Sequence, residues 1–301
     1  MVRLLFSILV AAFAVFSLAH ATPIYSSGAG PDFLRRESIT TLSTDQISTF
    51  RPFSFFASAA YCNPSVTRNW SCGANCDANP GFEPTASGGY VGFDPALNSV
   101  VVAHQGTDPD KIIPLLTDAD IVKVNLDPDL FPGIDDSIQV HDGFADSHAR
   151  VAPDVLSAVQ TTLSAHPDAS VTMVGHSLGA AQALLDSVFL PLHLPSGTKY
   201  KYVGYGLPRV GNQAFADYVD SHVTDLTHVT NKQDPIPTVP GRFLEFQHPQ
   251  GEVHIQDSEE WKACPGQDND SDECSTGAVP NIFEGEISNH DGPYDVVTMG
   301  C

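Results

Sequence analysis

The sequence predicts an α/β fold, a mostly parallel sheet covered by helices on both faces, and three observations support it. Short β-rich runs alternate with amphipathic helical spacing through the middle of the chain. One of those runs turns abruptly into a helix through two glycines that flank a serine. No internal repeat or linker divides the 301 residues, and 42% hydrophobic against 17% charged residues is enough apolar material for one sizeable core.

Taken in order, Arg3 precedes an apolar run over residues 4–18, and Ala19-His20-Ala21 has the small-x-small pattern of a signal peptidase site. Residues 1–21 therefore read as a signal peptide and the protein as secreted. Residues 22–44 form a Ser/Thr/Gly/Pro-rich arm in which Arg35-Arg36 is a possible propeptide cleavage point, and residues 45–301 form a single domain. No later apolar stretch approaches the roughly 20 residues that span a bilayer. Residues 45–61 have helical spacing interrupted at Pro52. Residues 89–105 read as two strands about an Asp-Pro-Ala-Leu-Asn turn, and residues 127–136 as irregular. A helix is expected over 146–166, a strand over 170–174, a helix over 178–190, a strand over 201–205, a helix over 212–222 and a strand over 226–231.

Fourteen Lys and Arg against 36 Asp and Glu leave a net charge of −22. That field opposes a phosphate backbone, so nucleic acid is not an expected partner, and an anionic membrane would not attract the chain by charge. The six cysteines follow the leader, where an oxidising compartment favours disulfides over a metal site. Spacing pairs Cys72 with Cys76 and Cys264 with Cys274 as local loops, leaving Cys62 to reach Cys301. Sequons at Asn69 and Asn269 are glycosylation candidates.

Gly175-His176-Ser177-Leu178-Gly179 follows the run VTMV and opens the helix LGAAQALLDSV. This is G-x-S-x-G in the strand-to-helix context that makes it a nucleophile elbow. Gly175 and Gly179 permit the tight turn and close helix approach, and the helix N-terminus favours negative charge beside Ser177. His176 is expected to point away from the site. A serine nucleophile needs a base, and the base an orienting acid. Asp234 follows the strand 226–231 directly, in a loop stiffened by Pro235 and Pro237, whereas Asp217 and Asp220 lie along a helix. Among His222, His228, His248, His254 and His290, the last is favoured as base because it sits in a polar loop near the clamped C-terminus; spacing alone leaves the other four open.

From about residue 45 to the end, the chain resembles the secreted fungal class 3 lipases, with feruloyl esterases as close relatives within that family. The resemblance rests on AAYC at 59–62, Gly106-Thr107, HDGF at 141–144, VGHSLGAA at 174–181, YGLPRVGN at 205–212 and DPIPTVP at 234–240. It implies an α/β-hydrolase fold and a triad of Ser177, Asp234 and His290. It also implies an oxyanion hole from the backbone N–H groups of Thr107 and Leu178, and the pairing of Cys62 with the last cysteine. The Thr107 hydroxyl adds a third donor or orients its loop. No metal or cofactor is called for, and the enzyme is expected to be a monomer.

The resemblance also implies a flap near 108–118, where Ile112, Ile113, Leu115 and Leu116 offer an apolar face for a lipid–water interface and Pro114 departs from a regular helix. The expected activity is release of fatty acids from tri-, di- or monoacylglycerols. The alternatives are a feruloyl or short-chain esterase acting on small soluble esters and a non-catalytic binding protein.

Overall fold

The computed structural model describes residues 38–85, 90–107 and 121–301. The signal peptide, most of the arm with Arg35-Arg36, and the flap residues Ile112, Ile113, Leu115 and Leu116 lie outside the described residues.

A nine-stranded sheet organises the chain. Edge to edge it runs Thr40–Thr41, Trp261–Cys264, Glu252–Ile255, Leu226–Asn231, Tyr200–Tyr205, Ser170–His176, Ser99–His104, Tyr90–Asp94 and Glu83–Pro84. The five central strands, from Glu252–Ile255 to Ser99–His104, are mutually parallel, and both flanks are antiparallel. Parallel strands need cover on both faces, and period-two alternation supplies it. Val100, Val102, Val171, Met173 and Tyr202 enter one core, whereas Val101, Ala103, Val174, Val203 and Tyr205 enter the other. The first core packs under the helices Ala152–Ala165, Leu178–His193 and Gln213–His222, and the second under Arg51–Ala59.

Local sequence explains most boundaries. The interruption at Pro52 separates the helices Thr44–Ser48 and Arg51–Ala59, with the proline in the first turn of the second, where its missing N–H costs nothing. Ser43 and Gln46 form a capping box on the first. Two expectations need correction. The single helix over 146–166 is two helices, Asp142–Ala149 and Ala152–Ala165, because Pro153 starts a new helix rather than continuing an old one. The arm does not extend to residue 44, because Thr40–Thr41 pairs with Lys262 and Ala263 and Leu42 is buried.

A second, four-stranded antiparallel sheet of Phe246–Gln247, Gly211–Asn212, Gln139–His141 and Lys123–Asn125 lies outside anything the periodicity suggests. The disulfides join Cys62 to Cys301, Cys72 to Cys76 and Cys264 to Cys274. Among the described residues, no helix is long and apolar enough to cross a membrane.

Candidate active site

Strand Ser170–His176 ends at Ser177, which has φ +60° and ψ −130° and forms the N-cap of helix Leu178–His193. A non-glycine residue in this region stores strain on the order of 1–3 kcal/mol. Its glycine neighbours make the turn possible. A Cβ on Gly175 would run into the Gly179 carbonyl, and one on Gly179 would run into the His104 carbonyl, so each position excludes any side chain. Ser177 is fully buried and its Oγ has no hydrogen-bond partner.

The parallel pairing of His104 with Gly175 delivers Gly106 and Thr107 beside the elbow. A Cβ on Gly106 would lie 3.0 Å from Ser177 Cβ and 2.5 Å from the His176 carbonyl. Thr107 follows Gly106 just past the strand end, and Leu178 follows Ser177 in the first turn of a helix, where N–H groups lack helical partners.

Asp234 lies just past strand Leu226–Asn231 and is fully buried. Its Oδ1 accepts from the Ile236 amide at 2.9 Å, and its Oδ2 accepts from His290 Nδ1 at 2.9 Å. That donation sets the tautomer of His290, whose buried Nε2 is left without a partner. Two further bonds tie the histidine segment to the aspartate segment: Asn231 Nδ2 donates to the Asn289 carbonyl at 2.9 Å, and the Glu286 amide to the Gln233 carbonyl at 2.7 Å. The structure therefore brings Asp234 and His290 together and sets Gly106 against Ser177.

A model of the family described as Lipase (class 3) matches residues 101–244. A secreted mono- and diacylglycerol lipase of Malassezia restricta is 35% identical over 198 residues, covering 65% of this chain and 61% of the relative. One from Malassezia globosa is 35% identical over 205 residues, covering 67% and 66%. The chain thus spans about three fifths of the length of the Malassezia restricta relative. Among solved structures, lipase II from Rhizopus niveus superposes with a TM-score of 0.76 at 28% identity, over 87% of this chain and 99% of that one. The chain belongs to the class 3 lipase family.

The remaining candidate residues of this class 3 lipase lie elsewhere. His228 and His248 stack on each other, donate to the Pro249 and Pro237 carbonyls, and are pushed down to about 4, chiefly by burial. His254 bonds the Glu273 and Lys232 carbonyls, and His222 faces the Tyr218 carbonyl of its own helix. Asp217 and Asp220 accept from Gln267. None of these is bonded to Asp234. The Asn69 sequon is exposed, whereas Asn269 donates its amide to the Pro265 carbonyl at 2.9 Å.

His176 corrects an expectation, because it does not turn away from the site. Its ring lies 4.4 Å from that of His290, and its Nε2 donates to the His290 carbonyl at 2.8 Å. Nδ1 then accepts from the Tyr61 hydroxyl at 2.6 Å. Burial, and next the proximity of His290, push the His176 pKa well down, so the ring is neutral. The Gly106 backbone also bonds the Tyr61 hydroxyl, and Tyr294 donates to the His290 carbonyl at 2.9 Å. Sequence reasoning assigned no role to Tyr61, Asn231 or Tyr294. The only available signals were AAYC and a tyrosine four residues beyond His290.

The class 3 lipase has an apolar cavity of about 880 Å³ beside these loops. Pro235 and Val239 from the Asp234 segment line it, with Ile282, Phe283 and Ile287 from the approach to His290. Among the described residues, no cluster of three or more His, Cys, Asp or Glu could hold a metal ion.

Proposed function

We propose that this chain is a secreted serine hydrolase that releases fatty acids from acylglycerols, with Ser177 as nucleophile, His290 as base and Asp234 as its orienting acid. The observation that carries the reading is a buried histidine held at one ring nitrogen by a buried aspartate, in a chain that also carries a serine at a strained strand-to-helix elbow. Ser177 Oγ and His290 Nε2 are buried and unpartnered, while Nδ1 of the same ring is held by Asp234. An unmatched buried polar atom costs about 1–3 kcal/mol, a cost that makes sense where a proton must be exchanged.

In the reaction, Ser177 Oγ attacks the ester carbonyl carbon as His290 Nε2 takes its proton, and Asp234 stabilises the imidazolium. The Thr107 and Leu178 amides receive the oxyanion; each such donor contributes about 3 kcal/mol. Collapse breaks the ester C–O bond, and His290 protonates the departing glyceride alkoxide, leaving an acyl-enzyme. Water then attacks the acyl carbon, passing its proton to His290, which returns it to Ser177 as the fatty acid leaves.

The apolar cavity lined by Pro235, Val239 and Ile287, beside the segments that carry Asp234 and His290, offers an apolar wall for an acyl chain. The Malassezia relatives are named for mono- and diacylglycerols, which puts diolein first among substrates to try. The test is the initial rate of fatty acid release from emulsified diolein and triolein in parallel, with Ser177→Ala as control. Release from diolein that disappears in the variant is the expected result, and the triolein rate reports whether a third acyl chain is admitted. Turnover of soluble feruloyl or short-chain esters alone would overturn the lipid reading.

A further inference from the structure

Outside the site, a buried cluster of one aspartate and two histidines reaches the strand that leads into Gly106 and Thr107. Asp186, fully buried on helix Leu178–His193, accepts from His104 Nε2 at 2.6 Å through Oδ2 and from His148 Nε2 at 2.8 Å through Oδ1. Burial pushes the Asp186 carboxyl up, but His104 and then His148 outweigh it and hold the group at about 2. The two histidines reach the same carboxylate from different elements. His104 ends the strand that leads into Gly106 and Thr107, whereas His148 lies on helix Asp142–Ala149, against Phe131 and Phe189.

We infer that His104 is a positioning residue for the oxyanion loop, fastened by Asp186 to the same helix whose first turn supplies the Leu178 amide. This rests on the proposed reaction. Helix Leu178–His193 touches the strand end at two places. Gly179 packs directly on the His104 and Gln105 backbone, and Asp186 holds the His104 ring. Gly179 and Asp186 are seven positions apart, about two helical turns, so both lie on one face. Thr107 is three residues beyond the anchor, within about 10 Å of extended chain. The spacing between the two oxyanion donors is therefore set by one helix gripping one strand end. His148 satisfies the other oxygen of Asp186 from helix Asp142–Ala149 rather than from that strand.

The test compares His104→Phe with His148→Phe, each of which removes one donor from the same carboxylate. The readouts are kcat and KM on p-nitrophenyl butyrate, the rate of Ser177 phosphonylation by a p-nitrophenyl alkylphosphonate, and Tm. His104→Phe should lower kcat and the phosphonylation rate about tenfold, the effect of losing about 1.4 kcal/mol, with KM within about twofold. His148→Phe should lower Tm comparably yet keep kcat within about twofold, and His104→Gln, which retains a donor, should recover most of the rate. If His104→Phe does not fold, His104→Leu and His148→Leu carry the same comparison. Equal losses of kcat at the two positions, or no loss at His104, would overturn the inference while leaving the hydrolase reading intact. A wild-type protein that is not phosphonylated at Ser177 would bring down both.

Discussion

His290 gives its Nδ1 hydrogen to Asp234 at 2.9 Å, and the opposite nitrogen of the same ring is buried with no partner. The aspartate therefore selects the tautomer in which Nε2 can receive a proton. Asp234→Asn should reverse that choice by presenting an amide donor, lowering kcat on the order of 10³–10⁴-fold with little change in KM. Steady-state kinetics on a soluble ester checks this, and a loss below tenfold would remove Asp234 from its role.

Gly106 has room for no side chain, since a Cβ there meets the Tyr61 hydroxyl, the His176 carbonyl and Ser177 Cβ. Gly106→Ala should push the oxyanion loop off the elbow and reduce kcat at least a hundredfold, the order expected for losing one oxyanion donor. Far-UV circular dichroism would show whether the fold is retained. A variant with wild-type kcat would place the oxyanion donors elsewhere.

Stability should fall as pH drops from about 6.5 to about 4. Burial depresses His228 and His248 from 6.5 to about 4, so they stay neutral in the folded chain while the unfolded chain takes up their protons. Their stabilisation is complete above 6.5 and is lost as pH falls toward 4, each group contributing up to about 1.4 kcal/mol per pH unit. Asp186, held at about 2, loses its contribution only below the ordinary carboxylate range. Thermal melts across this window should show the slope, and His248→Gln should shallow it. A Tm independent of pH between 6.5 and 4 would contradict the burial argument.

Cys62–Cys301 closes a sequence separation of 239 residues and anchors the segment after His290, where Met299 donates to the Asp291 carbonyl and Ser58 to the Gly300 carbonyl. Replacing both cysteines with serine should cost about 2–5 kcal/mol. Urea unfolding measures the loss, and an unchanged midpoint would show that the clamp is dispensable.

The elbow and the parallel strands are legible because local rules and tertiary demands agree there. VTMV is a buried run, and Gly175 and Gly179 sit where any Cβ would collide. Asp234 is legible from its place after a strand. Strands Glu252–Ile255 and Trp261–Cys264 are not, because each has four residues and carries Glu, His or Lys within it. They are strands because neighbouring strands complete their hydrogen bonds. The two- and three-residue strands of the second sheet are harder still. The part played by His176 depends on Tyr61, 115 residues away, which no local pattern connects to it.

Ser177 should form the covalent acyl intermediate, which peptide mapping by mass spectrometry detects after treatment with a fatty-acyl-mimicking p-nitrophenyl phosphonate. One adduct per chain is expected, on the peptide containing Ser177, accumulating in step with the loss of diolein hydrolysis and absent in Ser177→Ala. An adduct on another residue, or diolein hydrolysis that persists in Ser177→Ala, would contradict it.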